Sequence, residues 1–195
     1  MITVGVTGGI GSGKSIICEI FQTLRVPIYN ADLRAKHLMQ FDDALKTEIK
    51  NVFGEESYKN ETLNRDFLAK QIFANGDQIE KLNSIVHPVV KIDFDSWTKI
   101  QKNEYVIKEA ALLIETGSYK DLDYLIVVSA PEKTRVSRVL KRDLFRTQEE
   151  LQEILSKQTS DDIRTNKADF FINNDGSSLV IPQVLNIHER IISSN

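Results

Sequence analysis

The sequence predicts a three-layer α/β fold, in which a parallel sheet lies between two layers of helices. Three observations support this prediction. Short β-branched runs alternate with segments of helical periodicity. A glycine-rich loop joins the first such run to the first helical segment, and a long helical stretch interrupts the alternation. Because strands that alternate with helices form right-handed crossovers, they build a parallel sheet.

The first elements frame the glycine-rich loop. Residues 2–7 (ITVGVT) form a β-branched run that stops at two glycines, as a buried parallel strand would. Residues 15–24 place their apolar side chains on one helical stripe, which predicts a helix. Residues 26–29 (VPIY) predict a second strand, which ends at the polar segment 30–32 (NAD).

The next stretch, residues 33–102, predicts a helical insertion without a convincing strand. Candidate helices span residues 33–39, 44–52, 65–73 and 77–97, and Pro88 is expected to break or kink the last of them. Strands return at 104–108, 124–129 and 168–173, with helices at 133–142, 148–158 and 179–192. We therefore expect one compact protein with a core of residues 1–32 and 103–195 and an inserted lobe of residues 33–102.

Composition excludes several classes of protein. The 195 residues are 41 % hydrophobic and 27 % charged, as in ordinary globular proteins. The net charge is −3, whereas nucleic-acid binders usually carry a basic excess, so no nucleic-acid partner is expected. One cysteine excludes an internal disulfide. With no apolar run near the ~18 residues of a membrane span and no signal-peptide pattern at the start, we expect a soluble, cytoplasmic protein without a membrane partner.

The glycine-rich loop carries the strongest functional signal. Residues 8–15 (GGIGSGKS) match the pattern G-x-x-x-x-G-K-[ST] in full, between a predicted strand and a predicted helix. Glycines let successive N–H groups point into one anion-sized concavity, and the helix directs its positive dipole end at the phosphates. Lys14 can place its charge between the β- and γ-phosphates, and the Ser15 hydroxyl can bind Mg²⁺. The pattern predicts a nucleoside triphosphate site.

The use of the triphosphate is a separate question. Residues 166–169 (NKAD) match the guanine-recognition pattern of GTPases, but here the pattern precedes a strand instead of following one. The chain also has no Asp followed by Gly three positions later, which a GTPase switch requires. A small-molecule kinase is favoured, and it needs a base near the acceptor hydroxyl and basic residues over the phosphates.

Two features could meet those needs, and each has a plainer alternative. Asp32 follows the second strand at the sheet edge where the phosphate loop lies, so it is a candidate base, or else the N-cap of a helix starting at Leu33. Basic residues crowd into a predicted helix and loop, as a solvated face or as a lid over the phosphates. They are Arg135, Arg138, Lys141, Arg142 and Arg146.

Segments along the whole length of the chain carry a family resemblance. The start, VTGGIGSGKS, and residues 30–32 (NAD) resemble the phosphate-loop signature and the Asp-Ala-Asp segment of the dephospho-coenzyme A kinase family. Further similar segments follow in the family's order. They are 63–65 (LNR), 82–89 with its His-Pro pair, 109–115 (EAALLIE), 138–143 (RVLKRD), Gln158 and 172–177 (INNDGS). The chain departs from the family pattern at Ile16, Asn30, Ala111 and Ile114.

The resemblance implies a P-loop kinase that uses ATP and Mg²⁺ to phosphorylate the ribose 3′-hydroxyl of dephospho-CoA. It implies that Asp32 is the catalytic base, that Lys14, Arg138 and Arg142 act on the phosphates, and that a basic lid spans about 138–160. The acceptor would be bound by Asp32 of the core and by Arg65 and His87 of the inserted lobe, although His87 could instead be structural. Ser15 would bind Mg²⁺, and Glu109 is a further candidate. Residues implied at ATP are Gly9, Ile10, Gly11, Ser12, Gly13, Lys14, Ser15, Ile16, Asn174 and Gly176.

Two other functions stay open from the sequence. One is a nucleoside or nucleotide kinase built on the same core, which differs in its acceptor. The other is a regulatory switch that binds a nucleoside triphosphate and responds by binding a protein partner. As a kinase, the protein is expected to act as a monomer or a small homo-oligomer.

Overall fold

A computed structural model of the chain describes residues 1–74 and 77–194, and the side chains of all of these except 72–74 and 77. These residues form two compact units: Met1–Asn30 together with Gln101–Asn195, and Ala31–Ile100. The chain enters the second unit at the start of a helix and leaves it just before a strand. The assignment of the two units as a nucleotide-binding core and an acceptor lobe stays a prediction.

The strands and helices have the following bounds. The strands are β1 (Ile2–Thr7), β2 (Ile28–Asn30), β3 (Tyr58–Lys59), β4 (Thr62–Leu63), β5 (Tyr105–Glu109), β6 (Tyr124–Ser129) and β7 (Phe170–Asn173). The helices are α1 (Lys14–Thr23), α2 (Ala31–Phe41), α3 (Asp43–Phe53), α4 (Arg65–Ala74), α5 (Asp77–Lys99), α6 (Glu132–Arg142), α7 (Gln148–Lys157), α8 (Asp161–Lys167) and α9 (Val180–Ile192).

The first unit is built on a parallel sheet with the strand order β2-β5-β1-β6-β7. In the strand order, the connection from β1 leads toward the β2 edge of the sheet, and the connection from β6 leads toward the opposite edge, at β7. The carboxyl ends of β1 and β6 are therefore the place where the connections diverge. In open α/β sheets, ligands bind at such a place.

The core of the first unit lies between this sheet and the helices α1 and α9. Alternate residues of the central strands, such as Val4 and Val6, are fully buried against apolar side chains of the two helices. Phe21 of α1 is also fully buried and meets Tyr105 of β5 edge to face. Burying one such side chain contributes about 1.5–3 kcal/mol to stability. This packing fixes α1, and with it the loop that precedes α1, against the sheet.

The second unit is mainly helical, as predicted, but it differs from the prediction in two details. Tyr58 and Leu63 pair in a short antiparallel hairpin of β3 and β4, so the expectation of no strand here was wrong. Strands of two residues are too short to leave an alternating pattern in the sequence. Of the break or kink expected at Pro88, the break does not occur, since α5 continues through this residue. Buried apolar residues on both sides of Pro88, including Val86 and Val90, hold the helix in place.

The predicted fold class is confirmed: the first unit has an α/β architecture with a parallel sheet. Most predicted elements lie within two residues of their observed bounds. Helix α8 was not predicted, because its seven residues are mostly polar and show little periodicity. Within residues 1–74 and 77–194, no helix is long and apolar enough to cross a membrane.

Candidate active site

The phosphate loop connects β1 to α1 at the divergence point of the sheet. The turn within it is closed by the Ser12 amide, which donates to the Gly9 carbonyl over 3.1 Å. Gly13 takes a left-handed conformation (φ 94°, ψ 25°) just before α1 begins. No side chain caps the N-terminus of α1, and its first turn contains no acidic residue. The positive end of the helix dipole is therefore available to an anion.

The loop is packed so closely that a Cβ at any of its four glycines would lie less than 3.0 Å from another atom. At Gly8 and Gly11 that atom is a backbone carbonyl oxygen, 2.2 Å and 2.5 Å away, so these two positions have no room for a side chain. A Cβ at Gly13 would lie 2.2 Å from Nδ2 of Asn174, and the backbone φ there also disfavours other residues. A Cβ at Gly9 would lie 2.3 Å from Nη1 of Arg135 and 3.3 Å from Nη1 of Arg164. The glycines of the phosphate-loop pattern are thus also needed for the close packing of the loop against its neighbours.

Side chains from distant parts of the chain hold the loop backbone. Asn174, which follows β7, donates from Nδ2 to the Ser12 carbonyl over 2.8 Å. Gln158, which follows α7, accepts the Ile10 amide at Oε1 over 3.0 Å. Asn174 was predicted at ATP, and the structure places it directly against the loop. Gln158 was noted in the sequence only as part of a family segment.

Lys14 and Ser15 lie at the start of α1, as the motif requires. The Lys14 ammonium donates to the Gly8 carbonyl over 2.9 Å and is 3.5 Å from the Gly9 carbonyl. This places its charge against the loop. Ser15 is exposed, and so is the neighbouring Ile16. The Ser15 hydroxyl is therefore accessible to a ligand.

Glu109 ends β5 beside the phosphate loop. Its register partners are Val6 of β1 and Asn30 of β2, and its carboxylate accepts a hydrogen bond from the Asn30 amide. Glu109 is 6 % exposed. Burial raises the pKa of the nearby Cys18 thiol, and the charge of Glu109 raises it further. A buried carboxylate thus lies close to Cys18 of α1, the helix whose second residue is Ser15.

The three arginines of α6 have different surroundings. Arg135 is 5 % exposed and donates from Nε to the Ala130 carbonyl. Arg138 has a buried Nη1 with no hydrogen-bond partner among the described residues. Arg142, at the end of the helix, has a side chain that is 66 % exposed, and it donates twice to the neighbouring Asp143. The structure therefore brings Arg135 against the loop, which the sequence did not single out from the other basic residues.

A charged cluster that the sequence did not predict lies behind Gly9. Arg135 and Arg164 both donate to the carboxylate of Asp161, over 3.0 Å each. Arg164 also donates to Glu115 over 3.3 Å. We call Arg135, Asp161, Arg164 and Glu115 the arginine cluster. These residues are up to 49 positions apart, so only the fold reveals their proximity.

The pKa of Glu115 responds to this environment. Burial acts to raise it, but hydrogen bonds from Thr159 and the charge of Arg164 outweigh burial, so the pKa is lowered from its usual range. Glu115 is therefore ionised at neutral pH. The cluster contains two guanidinium groups and two carboxylates, which compensate each other in charge.

The segment after β7 is shaped by a local turn. Asp175 accepts hydrogen bonds from the hydroxyl and amide of Ser177 and from the Asn173 side chain, and these lower its pKa to about 2. Gly176 is exposed with φ 89°, which a glycine adopts readily. The turn presents Asn174 to the phosphate loop, while Gly176 makes no close contact that would need a glycine.

The second unit contains the predicted acceptor residues. Asp32 is the second residue of α2 and is exposed, so the alternative of an N-cap for a helix starting at Leu33 was wrong. Helix α2 instead begins directly after β2, at Ala31. Arg65 is the exposed first residue of α4, and His87 is exposed on α5 just before Pro88.

The site fits a bound polyphosphate. The N-terminus of α1 has no side-chain cap, and buried donors without partners among the described residues include Arg138 Nη1 and Arg164 Nε. An excess of donors is what an anion with many oxygens requires. Described residues contain no group of three or more His, Cys, Asp or Glu that could hold a metal ion alone. A hard cation such as Mg²⁺ is compatible, because it is commonly held by one or two protein oxygens together with phosphates and water.

Comparison with known proteins identifies the family. Residues 2–179 match the dephospho-CoA kinase family model. The dephospho-CoA kinase of Porphyromonas gingivalis is 38 % identical over 98 % of this chain and 95 % of its own length. The chain belongs to the dephospho-CoA kinase family. It is therefore a kinase, and family membership supports ATP-dependent phosphorylation of dephospho-CoA in coenzyme A biosynthesis.

Solved structures share the fold. A crystal structure from Thermus thermophilus has a TM-score of 0.84 and 25 % sequence identity, and the match covers 99 % of this chain and 97 % of that one. A dephospho-CoA kinase from Campylobacter jejuni has a TM-score of 0.72 and 24 % identity, with 99 % and 98 % covered. The P-loop kinase architecture predicted from the sequence is confirmed.

Proposed function

We propose that the protein transfers the γ-phosphoryl group of ATP to the ribose 3′-hydroxyl of dephospho-CoA, giving CoA and ADP. The observation that carries this proposal is the complete phosphate loop at the divergence point of the sheet, in a chain of this kinase family. In the reaction, the bond between the γ-phosphorus and the β,γ-bridging oxygen breaks. A new bond joins this phosphorus to the 3′-oxygen, which loses its proton.

The phosphate loop and α1 would bind the ATP phosphates. Backbone N–H groups of residues 9–16 and the helix dipole would face the phosphate oxygens, and Lys14 would leave its loop carbonyls to neutralise the transferred group. Ser15 would hold Mg²⁺, with Glu109 as a further ligand or as a partner of its bound water. Mg²⁺ supplies charge neutralisation at the phosphate oxygens when it is bound. Asn174 and Gly176 would lie at the nucleotide base.

Asp32 would act as the general base. Its carboxylate is exposed two residues beyond the end of β2, so it is accessible to the acceptor hydroxyl. It would accept the proton as the 3′-oxygen attacks. Arg138 would donate its unpartnered Nη1 to the transferring phosphoryl group, and Arg142 would join it when the lid of residues 138–160 closes. Closure would exclude water and so prevent hydrolysis of ATP.

The inserted helices would recognise the acceptor. Arg65 offers a guanidinium group suited to the acceptor's phosphates, and His87 offers a second polar group. Both are exposed in the second unit. We further propose that the enzyme works in the cytoplasm, where ATP is supplied, as a monomer or a small homo-oligomer, and that it has no nucleic-acid partner.

An acceptor panel tests this function. The protein is incubated with Mg-ATP and, separately, with dephospho-CoA, AMP, CMP, UMP, thymidine or shikimate, and ADP release is measured. We expect release with dephospho-CoA alone, with CoA as the product. Release with a nucleotide or nucleoside instead would favour the alternative kinase, and no release with any acceptor would favour a nucleotide-dependent switch.

The role of Asp32 is tested by Asp32→Asn. We expect kcat to fall by about a hundredfold or more, because the amide cannot accept the hydroxyl proton, while the Kd for ATP changes little. The matched control is Asp43→Asn, another exposed acidic residue in the first turn of a helix of the same unit. Substantial turnover by Asp32→Asn would remove Asp32 from the catalytic role.

A further inference from the structure

We propose that Asp161 is a positioning residue for the phosphate loop, which it controls through Arg135 and Arg164. The proposal rests on the proposed function, because it concerns how the same kinase holds its nucleotide. Asp161 belongs to α8, and nothing in its sequence context indicates a link to a loop about 150 positions earlier. The link is visible only in the arginine cluster.

Each oxygen of the Asp161 carboxylate binds a different arginine. Oδ1 accepts from Nη1 of Arg164, and Oδ2 accepts from Nη2 of Arg135, both over 3.0 Å. The two arginine side chains are almost completely buried, with 6 % and 2 % exposed, whereas the Asp161 side chain is 42 % exposed. The Asp161 carboxylate, which lies nearer the surface, therefore bridges the two buried guanidinium groups.

Further hydrogen bonds fix both guanidinium groups in place. Arg135 donates from Nε to the carbonyl of Ala130, which directly follows β6. Arg164 donates from Nη2 to Glu115, which in turn accepts the amide of Thr159. The cluster thus joins the end of β6 to α6, α8 and the segment after β5. Such a network restrains each guanidinium group in direction as well as in position.

Both arginines converge on Gly9 of the phosphate loop. A Cβ at Gly9 would lie within 3.3 Å of Nη1 of each of them, so the two groups form the surface on which the loop rests. Two buried like charges in this position repel each other unless an anion lies between them. Asp161 supplies that anion. Without its charge, the guanidinium groups would separate or turn toward other acceptors, and the loop would lose its support.

The consequence is a specific effect on the nucleotide. A loop that is displaced by about 1 Å binds phosphates poorly, and such displacements can cost up to a hundredfold in rate. The acceptor-binding residues proposed above lie in the second unit, whereas the arginine cluster belongs to the first. A loss of Asp161 should therefore weaken ATP and ADP binding without changing the affinity for dephospho-CoA.

The experiment compares Asp161→Asn with Asp162→Asn. Both residues are in the first turn of α8 and have the same charge, but Asp162 is exposed, so it controls for the helix dipole and for net charge. Isothermal titration gives the Kd for ADP, steady-state kinetics gives KM for ATP and for dephospho-CoA, and thermal unfolding gives Tm. ADP binding does not depend on the acceptor, so this arm remains informative even if dephospho-CoA is not the substrate.

We expect Asp161→Asn to raise the Kd for ADP and the KM for ATP about tenfold, with KM for dephospho-CoA unchanged. Asp162→Asn should behave like the wild type. Equal nucleotide affinity in the two variants, or an equal rise in both KM values, would overturn the proposal. A lowered Tm with wild-type nucleotide affinity would also overturn it, because it would show a purely structural role.

A second variant covers the case in which Asp161→Asn does not fold. Arg135→Lys keeps the buried positive charge, but one ammonium group cannot reproduce the two separate bonds to Ala130 and Asp161. We expect it to fold and to bind ADP about tenfold more weakly than the wild type. Wild-type ADP affinity in Arg135→Lys would contradict the proposed path from Asp161 to Gly9.

Discussion

The arginines at the two ends of α6 have different environments: those at the inner end have buried donor atoms, and the one at the outer end is exposed. At the inner end, Arg135 is buried against the phosphate loop, and Arg138 has a buried donor without a partner among the described residues. At the outer end, Arg142 is mostly exposed and binds Asp143, which is also 3.5 Å from Arg146. The spacing of basic residues is similar along the helix, but their environments are not.

This difference shows that burial, and not the number of basic residues, distinguishes the arginines whose side chains are held within the protein from those at its surface. A buried guanidinium group has lost its hydration, so an anion that reaches it is bound strongly. An exposed ion pair contributes only about 0–1 kcal/mol. The hydrogen bond from Arg142 lowers the pKa of Asp143, so the outer pair is fully ionised at neutral pH and must open before Arg142 can reach a phosphate.

Lys14→Ala should have the largest effect on activity, and the effects of the arginine variants are compared with it. The Lys14 ammonium lies against the loop in the structure, and we propose that it neutralises the transferred group. We expect kcat/KM for ATP to fall by about a hundredfold or more, with weaker ADP binding. Steady-state kinetics and titration calorimetry measure both. A change of less than tenfold would mean that the arginines, and not Lys14, dominate phosphate binding.

Arg138→Ala and Arg142→Ala test the comparison itself. Arg138→Ala should lower kcat by about a hundredfold, because we propose that its buried Nη1 donates to the phosphoryl group. Arg142→Ala should lower kcat by less than about tenfold, because its guanidinium group starts from an exposed pair with Asp143. The ratio of the two kcat values is the measurement. Equal losses would show that lid closure makes the outer arginine as important as the inner one.

Asn174→Ala removes support from the other side of the loop and should have a smaller effect. Its side chain donates one hydrogen bond to the Ser12 carbonyl, and such a bond contributes about 0.5–1.5 kcal/mol. We expect KM for ATP to rise about two- to tenfold with little change in kcat. Ser178→Ala, in the same exposed segment, is the control. A loss larger than that of Arg138→Ala would reverse the proposed importance of the two sides.

Cys18 should show the smallest effect. It is 5 % exposed behind the loop, and burial together with Glu109 raises its pKa, so the reactive thiolate is scarce at pH 8. We expect iodoacetamide to leave activity unchanged at pH 8 while it labels the unfolded chain readily. Rapid labelling of the native protein, followed by mass spectrometry, would show that α1 opens away from the sheet.

The sequence predicted those parts of the site that are encoded in consecutive residues. The phosphate loop is one such part, since eight neighbouring positions carry the pattern and its flanking elements. The NKAD pattern of residues 166–169 precedes a strand, as predicted, because β7 begins at Phe170. The Asp169 carboxylate accepts the Leu125 amide near the start of β6. The strands and the longer helices were predicted because their periodicity extends over several residues.

The sequence could not reveal contacts between distant segments. Arg164 and Asp161 lie in a short polar helix, where no periodic pattern sets them apart from exposed residues. Arg135 could not be distinguished from Arg142, because burial depends on which turn of α6 meets the loop. The roles of Asp32, Arg65 and His87 stay predictions, which rest on the resemblance to the family and on exposure.

The most direct measurement is the identity of the product. The wild-type protein is incubated with Mg-ATP and dephospho-CoA, and the product is analysed by mass spectrometry and ³¹P NMR. We expect ADP and CoA in equal amounts, with the new phosphate as a monoester on the ribose 3′-oxygen. ADP with free phosphate, or a phosphate at any other position, would contradict the proposed function.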